Sequence, residues 1–464
     1  MCGIFGIAAK KNGRKHKNVI SEIILGLYDL QHRGEQGCGA AVSDGKNLSY
    51  YRDEGLVTEV FSGKNRRKII RKLQGNLGIG HTLYSTVGRT GQRKQTRTFQ
   101  PLIGKFQGEP FALAHNGNLI GLSGLRKKAK EAGYKFKSEV SDTEVIVALL
   151  SISKKDNFVE ALKDVLPKLK GAFALVILYK DKIIGVRDRH GIRPLCVGRN
   201  AESTIIASES CAFYTLGARF IREIQPGEVI ILDEQGIKRS FRWAKDTCLK
   251  FCIFELIYFA RPDSRLCCRS VYSYRNNAGL LLAKEQAVDA DIVVPVPESG
   301  RIYDDAYASE IKIPVREGLF RNRHVATKTF LTPRNVDRKQ IQRRKIHPLK
   351  DVVYGKRICL IEDSLVRAIV CPETVAMCRE AGAVEVHVRI GSAPICCPCF
   401  LGIDMATKEE LAASDSTVEE IRKRVRSDSL GYLSIEGMIK ATGLPKENLC
   451  LGCFNGQYPI EFSR

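Results

Sequence analysis

Met1-Cys2-Gly3-Ile4-Phe5-Gly6-Ile7 opens the chain. Loss of Met1 would leave a thiol and a free α-amine on one residue. An α-amine has an ordinary pKa of about 7.7–8.0, so near neutral pH it can take the proton of its own thiol, directly or through one water. Read that way, Cys2 is a nucleophile at the first residue of a domain whose first strand runs straight on from it. The other reading is an ordinary Cys on a first strand. The heptapeptide alone leaves both open, and the residues further along decide.

The chain is 464 residues long and 44% apolar, enough for two or three cores, with no compositional bias. Its start runs apolar first and basic after (Lys10, Lys11), the reverse of a secretory signal, and no apolar run is long enough to span a bilayer. A cytoplasmic protein without membrane association is expected. Sixteen Cys in such a chain point to metal ligands, catalytic thiols or buried structural Cys rather than disulfides. The formal charge of +23 favours anionic partners. No nucleic-acid motif and no basic run interleaved with aromatics accompanies it, so a phosphorylated small substrate is expected, and not nucleic acid.

Outward from Cys2, short apolar runs alternate with Gly-containing turns. Ile20, Ile23, Ile24, Leu27 and Leu30 mark one helix. Strands are expected at 78–81, 111–115, 172–176, 182–187 and 205–207, with a turn at Pro226-Gly227-Glu228 into another. Beyond residue 250 the pattern changes. Asp291–Val296 and Arg357–Ile361 are continuous apolar runs, as in parallel strands buried on both faces. The second leads into Glu362-Asp363, a loop, a helix over 372–381 and a strand over 384–390: a βαβ unit, whose ligand side lies at the carboxyl ends of its strands. Short polar helices are expected at 408–413, 417–425 and 433–442 before a final Cys pair.

In this order and spacing several motifs resemble one family, the glutamine phosphoribosylpyrophosphate amidotransferases, over nearly the whole chain. They are Cys2-Gly3-Ile4, His32-Arg33-Gly34, Gly80-His81, Tyr84-Ser85-Thr86, Ala114-His115-Asn116-Gly117-Asn118, Ser141-Asp142-Thr143-Glu144, His190-Gly191-Ile192-Arg193-Pro194-Leu195 and Ala207-Ser208-Glu209-Ser210. The second half adds Phe259–Ser264, Pro295-Val296-Pro297-Glu298-Ser299, Arg321-Asn322-Arg323 and Glu380–Ala383. The resemblance implies an α+β N-terminal-nucleophile (αββα) glutaminase domain over 2–240. An α/β type I phosphoribosyltransferase domain would follow over 250–405, and a helical C-terminal tail with a Cys pair over 406–464. It implies that ammonia released from glutamine displaces pyrophosphate from phosphoribosyl pyrophosphate, giving 5-phosphoribosylamine, the opening step of purine synthesis. Purine nucleotides as feedback inhibitors and a homotetramer are implied as well.

By the same resemblance Cys2 is the catalytic nucleophile, and the Asn116 side chain and Gly117 N–H form the oxyanion hole. Arg33, Thr86 and Asp142 fall at substrate-binding positions of the glutaminase half, Asp142 for the glutamine α-amine. Ser-Asp-Thr also reads as a helix N-cap, and both readings can hold together. Arg323, Lys328 and Arg367 fall at phosphoribosyl pyrophosphate positions, with Arg321–Lys345 as a basic loop over the pyrophosphate. Ser299, Glu362 and Asp363 match the Mg²⁺ contacts. Cys252, Cys399, Cys450 and Cys453 match the ligands of a [4Fe–4S] cluster, although four thiolates alone suit zinc equally. Cys267, Cys268, Cys396 and Cys397 are read as bystanders.

Three positions depart from the family pattern. Leu83 stands where the family has the Arg that grips the glutamine α-carboxylate, with Arg89 and Arg93 nearby. Glu362 lengthens the first acidic residue by one methylene. Ala368-Ile369-Val370-Cys371 replaces a Gly-Thr-Thr-Ser phosphate loop. Their coincidence at ligand contacts raises a second reading, a catalytically impaired paralogue with a regulatory or binding role.

Overall fold

The computed structural model describes residues 1–10, 18–84, 99–138, 141–322, 338–405 and 407–462. In chain order the first strands are β1 Gly3–Ala9, β2 Gly37–Ser43, β3 Leu48–Glu54, β4 Leu77–Leu83, β5 Leu102–Phe106 and β6 Glu109–Ile120. They continue with β7 Lys170–Tyr179, β8 Lys182–Arg187, β9 Cys196–Arg199, β10 Ser203–Ala207, β11 Arg219–Glu223, β12 Glu228–Asp233 and β13 Gly236–Arg242. Among the described residues these form two antiparallel sheets, ordered β11-β9-β10-β1-β4-β2-β3 and β13-β12-β8-β7-β6-β5.

β1 shows why the sheets stack. Its period-2 side chains divide between two cores: Ile4 and Ala8 face the second sheet with Ala114, Ala174 and Val176. Phe5, Ile7 and Ala9 face the opposite way, onto Ile20, Ile23 and Leu27 of the helix Ile20–Asp29. On the far side Phe111 and Leu113 of β6 pack under Val145, Ile146 and Leu149 of the helix Asp142–Ser151. The result is the expected αββα layering.

The second half carries a four-stranded parallel sheet in the order Ile292–Pro295, Arg357–Glu362, Glu385–Ile390, Ser429–Tyr432. Cys359 and Ile361 face a core shared with the helices Val271–Glu285 and Tyr303–Ile311, while Ile358 and Leu360 face the one that holds Val375 and Cys378 of the helix Cys371–Glu380. Both faces are covered, which explains the unbroken apolar runs.

The tail differs from expectation in two places. Residues 408–413 form turns, because the Ala412 N–H is drawn to the Val366 carbonyl at 2.8 Å rather than into a helical ladder. Residues Ser429–Tyr432, between the observed helices Val418–Val425 and Ile435–Thr442, add an edge strand to the parallel sheet. The chain's last strand, Leu449–Cys450, lies parallel to Phe251–Cys252 and ties the tail to the junction of the two halves.

Candidate active site

Cys2 lies buried just before β1, its Sγ 3.6 Å from the Tyr84 carbonyl at the end of β4. Its backbone N–H donates to Asn116 Oδ1 at 3.1 Å. Burial pushes the thiol pKa up, and the nearby amino terminus pulls part of that back. Asn116 is completely buried, and among the described residues its Nδ2 has no hydrogen-bond partner. An unsatisfied buried donor costs about 1–3 kcal/mol, so the group is poised for an acceptor that arrives with substrate. Beside it, Gly117 has φ +150°, and a Cβ there would collide with the Ala172 carbonyl. Gly117 is opposite Phe173, whose N–H and C=O are both taken by Asp188. That pair exchanges no ladder bonds, which turns the Gly117 N–H away from β7. Asn116 Nδ2 is thus an unpartnered donor beside Cys2, with the Gly117 N–H next to it in the chain.

Asp142 does two things at once. Ser141 caps the helix by accepting from the Glu144 N–H at 3.2 Å. Asp142, the first helical residue, accepts from the Leu119 N–H at 3.0 Å and the Thr143 N–H at 2.7 Å, and its charge is felt by the Cys2 thiol. Leu83 ends β4 opposite Gly37, a partly buried apolar side chain where the family pattern has an Arg. Thr86, Arg89 and Arg93 lie outside the described residues, as do Arg323 and Lys328.

Arg33 corrects its expected role. The guanidinium is fully buried and committed: Nε donates to the Cys2 carbonyl at 3.0 Å, Nη1 and Nη2 to Glu255 at 3.0 Å each, and Nη1 also to Glu209. Burial alone would weaken its charge, but Glu255 and Glu209 more than offset that and hold its pKa above the usual range. Arg33 is thus fully engaged within the protein and holds the Cys2 carbonyl instead of standing free in the cavity. Burial likewise opposes the charge of Glu209, yet His32 and Arg33 keep that carboxyl well below its usual range.

A cavity of about 710 Å³ joins the two halves. His32 and Tyr84 line it from the first half, and Ser299, Arg321, Glu362, Asp363 and the loop 364–371 from the second. Glu362 closes the strand Arg357–Glu362 and Asp363 follows it directly, so the parallel sheet delivers both to the cavity. Burial, with the neighbouring Asp363 charge, pushes the Glu362 carboxyl up to about 8. Burial raises Asp363 as well, partly offset by the hydroxyls of Ser299 and Ser364, the latter donating at 2.6 Å. Two adjacent carboxyls whose charged forms are disfavoured, with hydroxyls beside them and open space in front, are a donor set that a hard divalent cation would satisfy.

Ala368 sits at φ +48°, a left-handed conformation costing about 1–2 kcal/mol with a Cβ. Behind it the helix Cys371–Glu380 points its first N–H groups towards the loop. Arg367 lines the cavity but is already engaged, 2.8 Å from Glu410 and 3.0 Å from the Asp404 carbonyl.

The four expected cluster ligands are gathered at one place. Cys252 and Cys450 are register partners on two parallel strands, and Cys399 and Cys450 pack on the core that contains Cys252 and Cys453. The charges of Cys252, Cys399 and Cys450 all act on Cys453, and none of the four is in a disulfide. Burial pushes Cys252 up to about 11 and Cys450 up to about 12. Cys396 and Cys397 lie alongside, their N–H groups donating to the Cys453 carbonyl at 3.1 and 3.0 Å. Among the described residues no group of three or more His, Cys, Asp or Glu is arranged to hold a single metal ion.

Two site residues carry no role in the sequence reading. Arg193 stands inside a quoted motif, and its buried guanidinium donates to the Leu401 carbonyl and to Glu255 at 3.4 Å. Glu255 follows Cys252 by three residues, and that proximity was the available signal.

The glutamine amidotransferase domain family matches residues 89–215. An amidophosphoribosyltransferase of Methanocaldococcus jannaschii is 44% identical, over 99% of this chain and 98% of its own length. One from Bacillus subtilis is 40% identical over 99% and 94%. A solved glutamine phosphoribosylpyrophosphate amidotransferase from B. subtilis, complexed with ADP and GMP, superposes with a TM-score of 0.89 at 39% identity, over 99% of this chain and 98% of that one. With both catalytic halves matched end to end, the chain belongs to the amidophosphoribosyltransferase family.

Proposed function

We propose that the protein transfers ammonia from glutamine to phosphoribosyl pyrophosphate, giving 5-phosphoribosylamine, pyrophosphate and glutamate, the first step of purine synthesis. The observation that carries the reading is the unpartnered Asn116 Nδ2 beside Cys2, with a cavity running from Tyr84 to the Glu362-Asp363 pair. The impaired-paralogue alternative finds no support in full-length relatives that are named as the enzyme.

After removal of Met1, the Cys2 α-amine takes the thiol proton and the thiolate attacks the glutamine side-chain carbonyl. Asn116 Nδ2 and the Gly117 N–H receive the oxyanion. Collapse expels ammonia, and water then cleaves the thioester to glutamate. Asp142 meets the substrate α-amine. Ammonia attacks C1 of the ribose as pyrophosphate leaves, within the cavity that Arg321 and the 364–371 loop enclose.

Ser299, Glu362 and Asp363 would hold Mg²⁺, which when bound neutralises pyrophosphate charge. Cys252, Cys399, Cys450 and Cys453 would hold a [4Fe–4S] cluster as a structural joint. Their gathering on one core supports a shared metal group, and the resemblance favours the cluster over zinc, which four thiolates also suit. A homotetramer, a cytoplasmic location and feedback by purine nucleotides complete the proposal; the ADP- and GMP-bound B. subtilis structure supports the last. No helix among the described residues is long and apolar enough to cross a membrane.

The test is pyrophosphate release from phosphoribosyl pyrophosphate and Mg²⁺ on anaerobically purified protein, with glutamine or with saturating ammonia. Release with both supports the proposal. Silence with ammonia from folded protein overturns it.

A further inference from the structure

Glu255 belongs to the second half of the chain, in the turn Glu255–Phe259 that follows the strand Phe251–Cys252, and it is completely buried. Both its oxygens are used on Arg33, at 3.0 Å from Nη1 and 3.0 Å from Nη2. The same Oε1 lies 3.4 Å from Arg193 Nη1. Arg33 Nε in turn donates to the Cys2 carbonyl at 3.0 Å. One carboxylate thus reaches across from the transferase half and grips, through a single guanidinium, the backbone of the nucleophile.

The neighbouring contacts show what this grip controls. Cys2 is held at its N–H by Asn116 Oδ1, and the following Gly3 N–H donates to Thr82 Oγ1 at 3.2 Å. The carbonyl side is held by Arg33. Loss of that hold would free the Cys2 backbone to shift relative to Asn116. Charge decides whether Arg33 stays: two buried guanidiniums, Arg33 and Arg193, face two buried carboxylates, Glu255 and Glu209. Glu209 is shared with His32 at 2.8 Å, Ser264 Oγ at 2.7 Å and the Arg261 N–H at 2.9 Å, so it cannot follow Arg33. Without Glu255, one buried positive charge is left over.

We propose that Glu255 is a positioning residue for the glutaminase reaction, orienting Cys2 through Arg33 from the transferase half. The inference rests on the glutamine-splitting role proposed above, and labelling of Cys2 separates its failure from failure of that role.

The experiment compares the full-length parent with Glu255→Gln and Glu255→Asp. Three quantities are read: turnover with glutamine, turnover with ammonia, and the rate at which a glutamine-like diazoketone alkylates Cys2, followed by mass spectrometry. In Glu255→Gln the glutamine-dependent kcat and the labelling rate should fall about 10- to 100-fold, with KM for glutamine and ammonia-dependent turnover nearly unchanged. Glu255→Asp keeps the charge but shortens the arm, and should label at an intermediate rate. A merely structural residue would lower both turnovers together, and that result overturns the proposal. So does parent-like labelling of either variant. If Glu255→Gln does not fold, Glu255→Asp decides; if the parent turns over neither nitrogen source, labelling still decides.

Discussion

Asn116→Ala offers the most direct test of the oxyanion geometry. The substitution removes Nδ2, the unpartnered donor, and Oδ1, which accepts from the Cys2 N–H at 3.1 Å. Loss of one preorganised oxyanion donor costs about 2.7–4 kcal/mol in the transition state, or roughly 10²- to 10³-fold in kcat. Stability behaves differently. Losing the Oδ1 bond costs about 1 kcal/mol, while removing an unsatisfied buried donor returns a similar amount, so the net change stays within about 1–2 kcal/mol. Ammonia needs no oxyanion, so ammonia-dependent turnover should hold. The assay is pyrophosphate release with each nitrogen source, alongside a thermal melt. Glutamine-dependent turnover within about threefold of the parent would refute the oxyanion assignment. An equal fall with both nitrogen sources would show that the variant damages more than this step.

Leu83→Arg should restore a grip on the glutamine α-carboxylate and lower KM for glutamine about 10- to 100-fold, read from initial rates; an unchanged KM would mean that another residue already holds that group. Glu362, pushed up to about 8 by burial and Asp363, keeps its proton on folding and releases it on unfolding above about 4.5. Its contribution to stability in divalent-free buffer is therefore full below about pH 4.5 and is lost towards pH 8, at up to about 1.4 kcal/mol per pH unit. Glu362→Gln should flatten that slope in melts taken across pH. Protein that retains Met1 should lose glutamine-dependent but not ammonia-dependent turnover, because the Met1 amine is buried and pushed down to about 4 and the Cys2 nitrogen is an amide; intact-mass analysis paired with both assays checks it.

Much of this was legible in the sequence because it is local. The βαβ unit from Arg357 to Ile390 announced itself by apolar runs, which arise wherever a strand is covered on both faces. Cys2, Asn116 and Gly117 were named through the family resemblance, and the structure brings Cys2 and Asn116 together. The fate of 408–413 was not: helical propensity favoured a helix, but a hydrogen bond from Ala412 to Val366, 46 positions away, prevailed. Nor was the edge strand at Ser429–Tyr432, too short to carry a period of its own.

Read alone, the chain names the groups at hand: a thiol beside the amino terminus, an Asn-Gly pair, two adjacent acidic residues at the end of a buried strand, and four Cys. How those groups are used follows from folding. It committed Arg33 to Glu255 and Glu209, engaged Arg367 with Glu410, and left Asn116 Nδ2 unpartnered. Such choices depend on partners 176 and 222 positions from Arg33 along the chain, and on burial that raises the cost of every unpaired charge.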